Sequence, residues 1–168
     1  KMLIMKTLLL ENATAILPDG KLDHANILIK NGRIAEIATD NLSSDETINL
    51  NDQKLYEGFI DIHIHGAVGV DVNTADVDGL LKIAAFLAGK GVTAWMPTLV
   101  PDTDENYRRA IDAIDESMER QTDKPVAQIV GVHYEGVFAN EGMCGALRPE
   151  HFKKYAGPRT TPSAEAAA

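Results

Sequence analysis

Gly58-Phe59-Ile60-Asp61-Ile62-His63-Ile64-His65-Gly66 decides how the rest of this 168-residue chain is read. Side chains alternate across a strand with period two, so a strand here puts Asp61, His63 and His65 on one face. Ile60, Ile62 and Ile64 take the other face, which can pack under helices. In a parallel sheet the polar face is buried as well. Two imidazoles and a carboxylate aimed the same way inside a protein need a reason. A divalent metal such as zinc supplies one, because it takes imidazole nitrogen and carboxylate oxygen. The alternative is a pair of ordinary histidines on an edge strand. The single-faced placement and the closing glycine favour ligation.

Upstream of this stretch, residues 2–56 read as β throughout. Met2–Leu10 looks like a signal peptide but lacks a small-residue cleavage site and runs into strand-like sequence, so it is expected to be the first strand. Ala25–Ile29 and Ile34–Ile37 flank Lys30-Asn31-Gly32-Arg33. Asn-Gly between two apolar runs is a hairpin signal, because both turn positions need positive φ. His24 falls in this β-segment and reads as structural.

Downstream the pattern turns to β/α alternation. After Phe59–His65 and a glycine-rich loop, Val77, Leu80, Leu81, Ala84, Ala85 and Ala88 recur at helical spacing. Thr74 or Asp76 can cap that helix, and Gly89 or Gly91 can end it. Val92–Met96 reads as a second strand stopped by Pro97. Thr103 caps a second helix striped by Tyr107, Ala110, Ile111, Ile114 and Met118. Val126–Tyr134 reads as a third strand, and Arg148–Tyr155 as the start of a third helix. Strand, helix, strand, helix, strand is the repeat of a parallel sheet with crossovers. The expected organisation is a β-sandwich segment at 1–56, the first three β/α units at 57–157 and a disordered tail at 158–168. A doubly wound sheet is the competing architecture, but Gly66-Ala67-Val68-Gly69-Val70 is a weak phosphate loop.

The third strand runs into Gly131-Val132-His133-Tyr134-Glu135-Gly136. Glu135 falls at its carboxyl end, where β/α-barrel sites collect their chemistry. A glutamate there can complete or bridge a site begun by His63 and His65. His151 lies in the candidate third helix and reads as a surface residue. The lone Cys144 reads as a loop residue with no base beside it, and a single cysteine allows no internal disulfide, which suits a reducing cytoplasm. With 16 basic and 25 acidic residues the formal charge is −9, which argues against nucleic acid or an anionic membrane as partner. No apolar run approaches the ~20 residues of a membrane span.

Three segments together carry a family resemblance. Gly58–Gly66 after a β-segment resembles the start of the amidohydrolase superfamily. Gly91-Val92-Thr93-Ala94-Trp95-Met96-Pro97-Thr98 and Gly131-Val132-His133-Tyr134-Glu135-Gly136-Val137-Phe138-Ala139-Asn140 narrow it to the N-acetylglucosamine-6-phosphate deacetylases. The resemblance runs from about residue 3 to 155. It implies an α/β fold comprising the first strands of a metal-dependent (β/α)8 (TIM-like) barrel, preceded by a small β-sandwich segment. It implies that His63 and His65 hold one metal and that Glu135 holds or bridges another, with one or two ions, zinc first. Ala146 and Leu147 match a loop that touches the sugar. The implied substrate is a small amino-sugar phosphate, whose N-acetyl amide is hydrolysed to glucosamine 6-phosphate and acetate. The implied setting is a cytoplasmic homodimer.

Some positions depart from the family's pattern. Glu57 and Val137 stand where prolines are usual, and Leu147 where histidine is usual. The family's barrel has eight units in roughly 250 residues, and this chain supplies about three. The two later metal-binding histidines and the catalytic aspartate fall on strands outside them. No catalytic residue is therefore assigned within the chain, and it is expected to be inactive alone. A non-catalytic metal-binding or interaction module, and an amidohydrolase acting on another amide or a cyclic imide, are the alternatives.

Overall fold

The computed structural model describes residues 6–122 and 124–154. The expected tail at 158–168 lies outside the described residues, as do Met2–Met5 of the expected first strand. The chain divides into two compact units between Glu57 and Gly58.

The first unit is a five-stranded sheet. Its strands are β1 (Thr7–Leu17), β2 (Gly20–Lys30), β3 (Arg33–Ala38), β4 (Glu46–Asn49) and β5 (Lys54–Leu55). β3, β2 and β1 are antiparallel neighbours, while β4 and β5 both join β1 in parallel. The turn between β2 and β3 falls at Asn31-Gly32, with φ of 54° and 70°, as the dipeptide predicts. Asn12 and His24 also have positive φ, at 55° and 53°, and the β1–β2 register shifts between Leu10 and Ala13. The expected sandwich segment thus takes the form of one sheet with an irregular central hairpin. Its core is small, built from Ala13, Ala15, Ala25 and Ile27. Asn26 is buried there but satisfied: its side chain accepts from Asn12 N and donates to the Asp40 carbonyl.

The second unit is α/β. β6 (Phe59–Ile64) is followed by a two-residue hairpin of β7 (Gly66–Ala67) and β8 (Val70–Asp71), then by α1 (Val77–Ala88). β9 (Val92–Leu99), α2 (Asp104–Arg120), β10 (Gln128–Ile129) and β11 (His133–Tyr134) complete it. β9 pairs in parallel with β6, β10 and β11. Asp76 caps α1 by accepting from Gly79 N, and Thr103 caps α2 by accepting from Asn106 N. Leu80, Ile83, Ala84 and Leu87 of α1 follow helical spacing and pack with Trp95, Leu99, Ala110, Ile114 and Ile129 into one core.

Four expectations are corrected. β9 does not stop at Pro97 but runs on to Leu99. Proline lacks a ladder donor, and here it falls where none is used: β10 ends opposite Trp95 and β11 begins opposite Thr98. The expected third strand is accordingly split into β10 and β11. Residues 148–155 form no α-helix among the described residues, only a 3-10 turn at Pro149–His151, on which His151 is half-buried. Finally, the isoleucine face of β6 is not covered. Phe59, Ile60 and Ile62 are 67%, 65% and 64% exposed, and only Ile64 packs against the core. The reason is packing: β6 makes its extensive contacts with β9, and neither α1 nor α2 lies over Ile60 or Ile62.

Candidate metal centre

β6 and β11 lie on either side of β9 and bring together His63, near the carboxyl end of β6, with His65 and Glu135, each just past a strand end. Glu135 Oε2 is 2.9 Å from His65 Nε2 and 3.2 Å from His63 Nε2, and the two Nε2 atoms are 3.1 Å apart. The three side chains are 50%, 46% and 35% exposed in the order His63, His65, Glu135, so the cluster opens to solvent. The two imidazole rings meet edge to face, with centroids 5.0 Å apart.

Donor set and spacing fit a divalent ion. Ligand atoms at ~2.0–2.1 Å from a tetrahedral zinc lie about 3.3 Å from one another. The triangle of two imidazole nitrogens and one carboxylate oxygen is within a few tenths of an ångström of that spacing. Without a cation, two Nε2 atoms in contact cannot both be bare acceptors facing each other. One must carry a proton, and the carboxylate would take it as a hydrogen bond.

Asp61 does not join the group. Its Oδ1 accepts from the backbone N of His63 at 3.1 Å. Strict alternation fails between them because β6 advances three residues from Asp61 to Ile64 while β9 advances two, from Trp95 to Pro97. An irregularity of this kind re-aims side chains and is common beside functional sites.

The candidate substrate-loop residues come close to Glu135 through its neighbour. Gly136 has φ +68°, and a Cβ there would overlap Cδ1 of Leu147. Leu147 therefore covers the backbone one residue beyond Glu135, while Ala146 stays exposed. His24 is paired with Asp52 on the surface of the first unit, and half-buried Cys144 follows a 3-10 turn.

A second polar cluster, missed in the sequence, holds the loops that follow β6 and β9. The Asp102 carboxylate is buried and accepts from Asn106 Nδ2, Thr103 N, Asn73 Nδ2 and Arg148. Burial pushes its carboxyl up. The hydrogen bonds from Asn106, Thr103 and Asn73 and the charge of Arg148 outweigh this and lower it to about 2. Asn73 also exchanges bonds with both backbone groups of Val100, and the Arg109 guanidinium binds the carbonyls of Asn73, Thr74 and Ala75. The available signal was Asp102 two residues beyond the apolar run Trp95–Val100, before a helix cap. Thr98 was missed as well. It is fully buried inside that same run, where a polar side chain needs a partner.

No protein-family model matches the chain. It is 33% identical over 136 residues to the N-acetylgalactosamine-6-phosphate deacetylase of Escherichia coli O157:H7, covering 81% of this chain and 35% of that protein. It is 29% identical over 147 residues to the N-acetylglucosamine-6-phosphate deacetylase of Homo sapiens, covering 83% of this chain and 35% of that protein. The chain thus spans about a third of the length of the curated relatives it matches. Among solved structures, the N-acetylglucosamine-6-phosphate deacetylase of Pasteurella multocida superposes with TM-score 0.74 at 23% identity, over 91% of this chain and 40% of that one. The Thermotoga maritima deacetylase gives 0.66 at 24% identity, over 88% and 37%. The α/β fold is shared with these enzymes.

Proposed function

We propose that this chain, which matches the amino-terminal portion of N-acetylglucosamine-6-phosphate deacetylases in sequence and fold, carries that portion's share of a zinc-dependent amide-hydrolysing site. The substrate class is an N-acetylated amino-sugar phosphate, and the architecture is the opening of a (β/α)8 barrel. The observation that supports this reading is the mutual approach of His63, His65 and Glu135 to within 3.2 Å across a sheet, from positions 72 residues apart in sequence. A carboxylate and two imidazoles at that spacing would hold one divalent ion in a three-ligand set, with space for a further ligand.

The bound ion would supply Lewis-acid polarisation of the amide carbonyl and an acidified water. The chain's own residues do the rest of their share by position. His63 and His65 present Nε2 atoms as neutral donors, and Glu135 supplies the negative charge that offsets the cation. Leu147, packed on Gly136, fixes the 144–148 loop beside Glu135, so that the exposed backbone at Ala146 can face the sugar. By the family resemblance, the remaining ligands and the proton-transferring aspartate lie on later strands. The chain alone is therefore expected to hold zinc and to release no acetate.

The test is equilibrium dialysis of the 168-residue chain against zinc, followed by acetate release from N-acetylglucosamine 6-phosphate with chelator controls. One ion per chain, with acetate no higher than a zinc-only blank, is the expected result. A chain that retains no zinc sinks the metal reading. Metal-dependent turnover would show that a residue present here serves as the general base.

A further inference from the structure

We infer that Thr98 is the positioning residue of this centre, its single hydroxyl fixing both strands that carry the donor atoms. The inference rests on the metal reading above. Thr98 lies on β9, between β6 and β11, and is fully buried. Its Oγ1 accepts from the backbone N of Ile64 at 3.0 Å. Ile64 is the residue between His63 and His65, so the peptide from which both imidazoles spring is tied to a side chain. The same Oγ1 lies 3.2 Å from Nδ1 of His133, which pairs with Thr98 in register and stands two residues before Glu135. The His133 ring in turn lies against that of His63, with centroids 4.8 Å apart.

One hydroxyl can serve both strands at once. A hydroxyl has one hydrogen and two lone pairs. One lone pair takes the Ile64 N–H. The hydroxyl hydrogen or the second lone pair then meets His133 Nδ1. Whichever of the two atoms donates, that bond orients the His133 ring lying against His63. Partners that orient metal-binding groups in this way typically matter about 10- to 100-fold in metal affinity. A β-branched side chain suits the task because its χ1 is restricted.

The experiment compares zinc affinity, by competition with a chromophoric chelator, for the parent chain, Thr98→Val, Thr98→Ser and His65→Ala. Valine keeps the shape and removes the hydroxyl, and serine keeps the hydroxyl. The expected result is an affinity loss of about 10- to 100-fold for Thr98→Val, near-parent affinity for Thr98→Ser, and a changed cobalt(II) absorption spectrum in Thr98→Val alone of those two. Thr98→Val binding zinc like the parent, while His65→Ala loses it, would overturn the inference and leave the metal reading intact. Parent and His65→Ala binding alike would overturn both. A measurement on the unmutated chain covers the case in which Thr98→Val does not fold. Imidazole ¹⁵N spectra of the metal-free protein should show His133 Nδ1 engaged in a hydrogen bond, and an Nδ1 with no hydrogen-bond partner refutes the inference.

Discussion

The two polar clusters of the second unit use the same residue chemistry and end in opposite states. Around Asp102, a buried carboxylate accepts four hydrogen bonds, and its partners are themselves bonded to backbone on either side. Around Glu135, a half-exposed carboxylate meets two imidazoles that bring no further described side-chain or backbone donor to it. Saturated networks specify a conformation. Convergent donors with spare valence at a strand end are what a ligand completes. Under the proposed reading, comparing the two separates a carboxylate that holds the fold from one that would hold a ligand.

Removing a ligand should break the contrast most sharply. His63→Ala, His65→Ala and Glu135→Gln are each expected to weaken zinc binding by more than about 100-fold, beyond the usual effect of an outer-shell change. They should cost little stability without metal. With zinc at about 100 times its Kd, the parent should gain about 2.7 kcal/mol of unfolding free energy, and the variants should not. Denaturant titration with and without zinc reads both quantities. A variant that unfolds early in the absence of zinc would mean that the cluster is structural, like its neighbour.

Asp102 should behave in the opposite way. Asp102→Ala leaves the donors of Asn73, Asn106 and Thr103 without their acceptor, and it is expected to cost about 3 kcal/mol whether or not zinc is present. The pH dependence follows from its depressed carboxyl. Its folded pKa of about 2 lies below the ordinary 3.8. The stabilisation is therefore complete above pH ~4 and is lost as pH falls toward 2, by about 2 kcal/mol in total. Acid unfolding of the parent against Asp102→Asn measures it, and the Asn variant should lack that portion of the acid sensitivity.

Much of this arrangement could be read from residue order, and the rest fails for identifiable reasons. Period two placed His63 and His65 together, and the position of Glu135 at a strand end brought it to them. The same rule misplaced Asp61, because the shift between β6 and β9 breaks the alternation, and register is a property of two strands rather than one. Pro97 was read as a stop because a missing donor matters only where a neighbour needs it. The gap between β10 and β11 is invisible in β9's own sequence. The isoleucines of β6 read as core, yet burial depends on which elements pack over the strand. The Asp102 network joins residues from 73 to 148 and has no local period to betray it.

Two glycines extend the contrast to the smallest effects. Gly136 and Gly32 have nearly the same backbone, φ +68° and +70°, in different surroundings. Beside the metal centre, a Cβ on Gly136 would overlap Leu147. Gly136→Ala therefore adds a displaced Leu147 side chain to the backbone penalty of a left-handed residue, which is about 1–2 kcal/mol. It should also disturb zinc binding through Glu135. At the hairpin, nothing lies within 4 Å of a Cβ on Gly32, so Gly32→Ala should cost about 1 kcal/mol from conformation alone and leave zinc affinity unchanged. Equal losses at the two positions, measured by denaturant midpoint at constant slope, would mean that Leu147 gives way freely. The loop carrying Ala146 would then not be fixed by Gly136, and its placement beside Glu135 would need another cause.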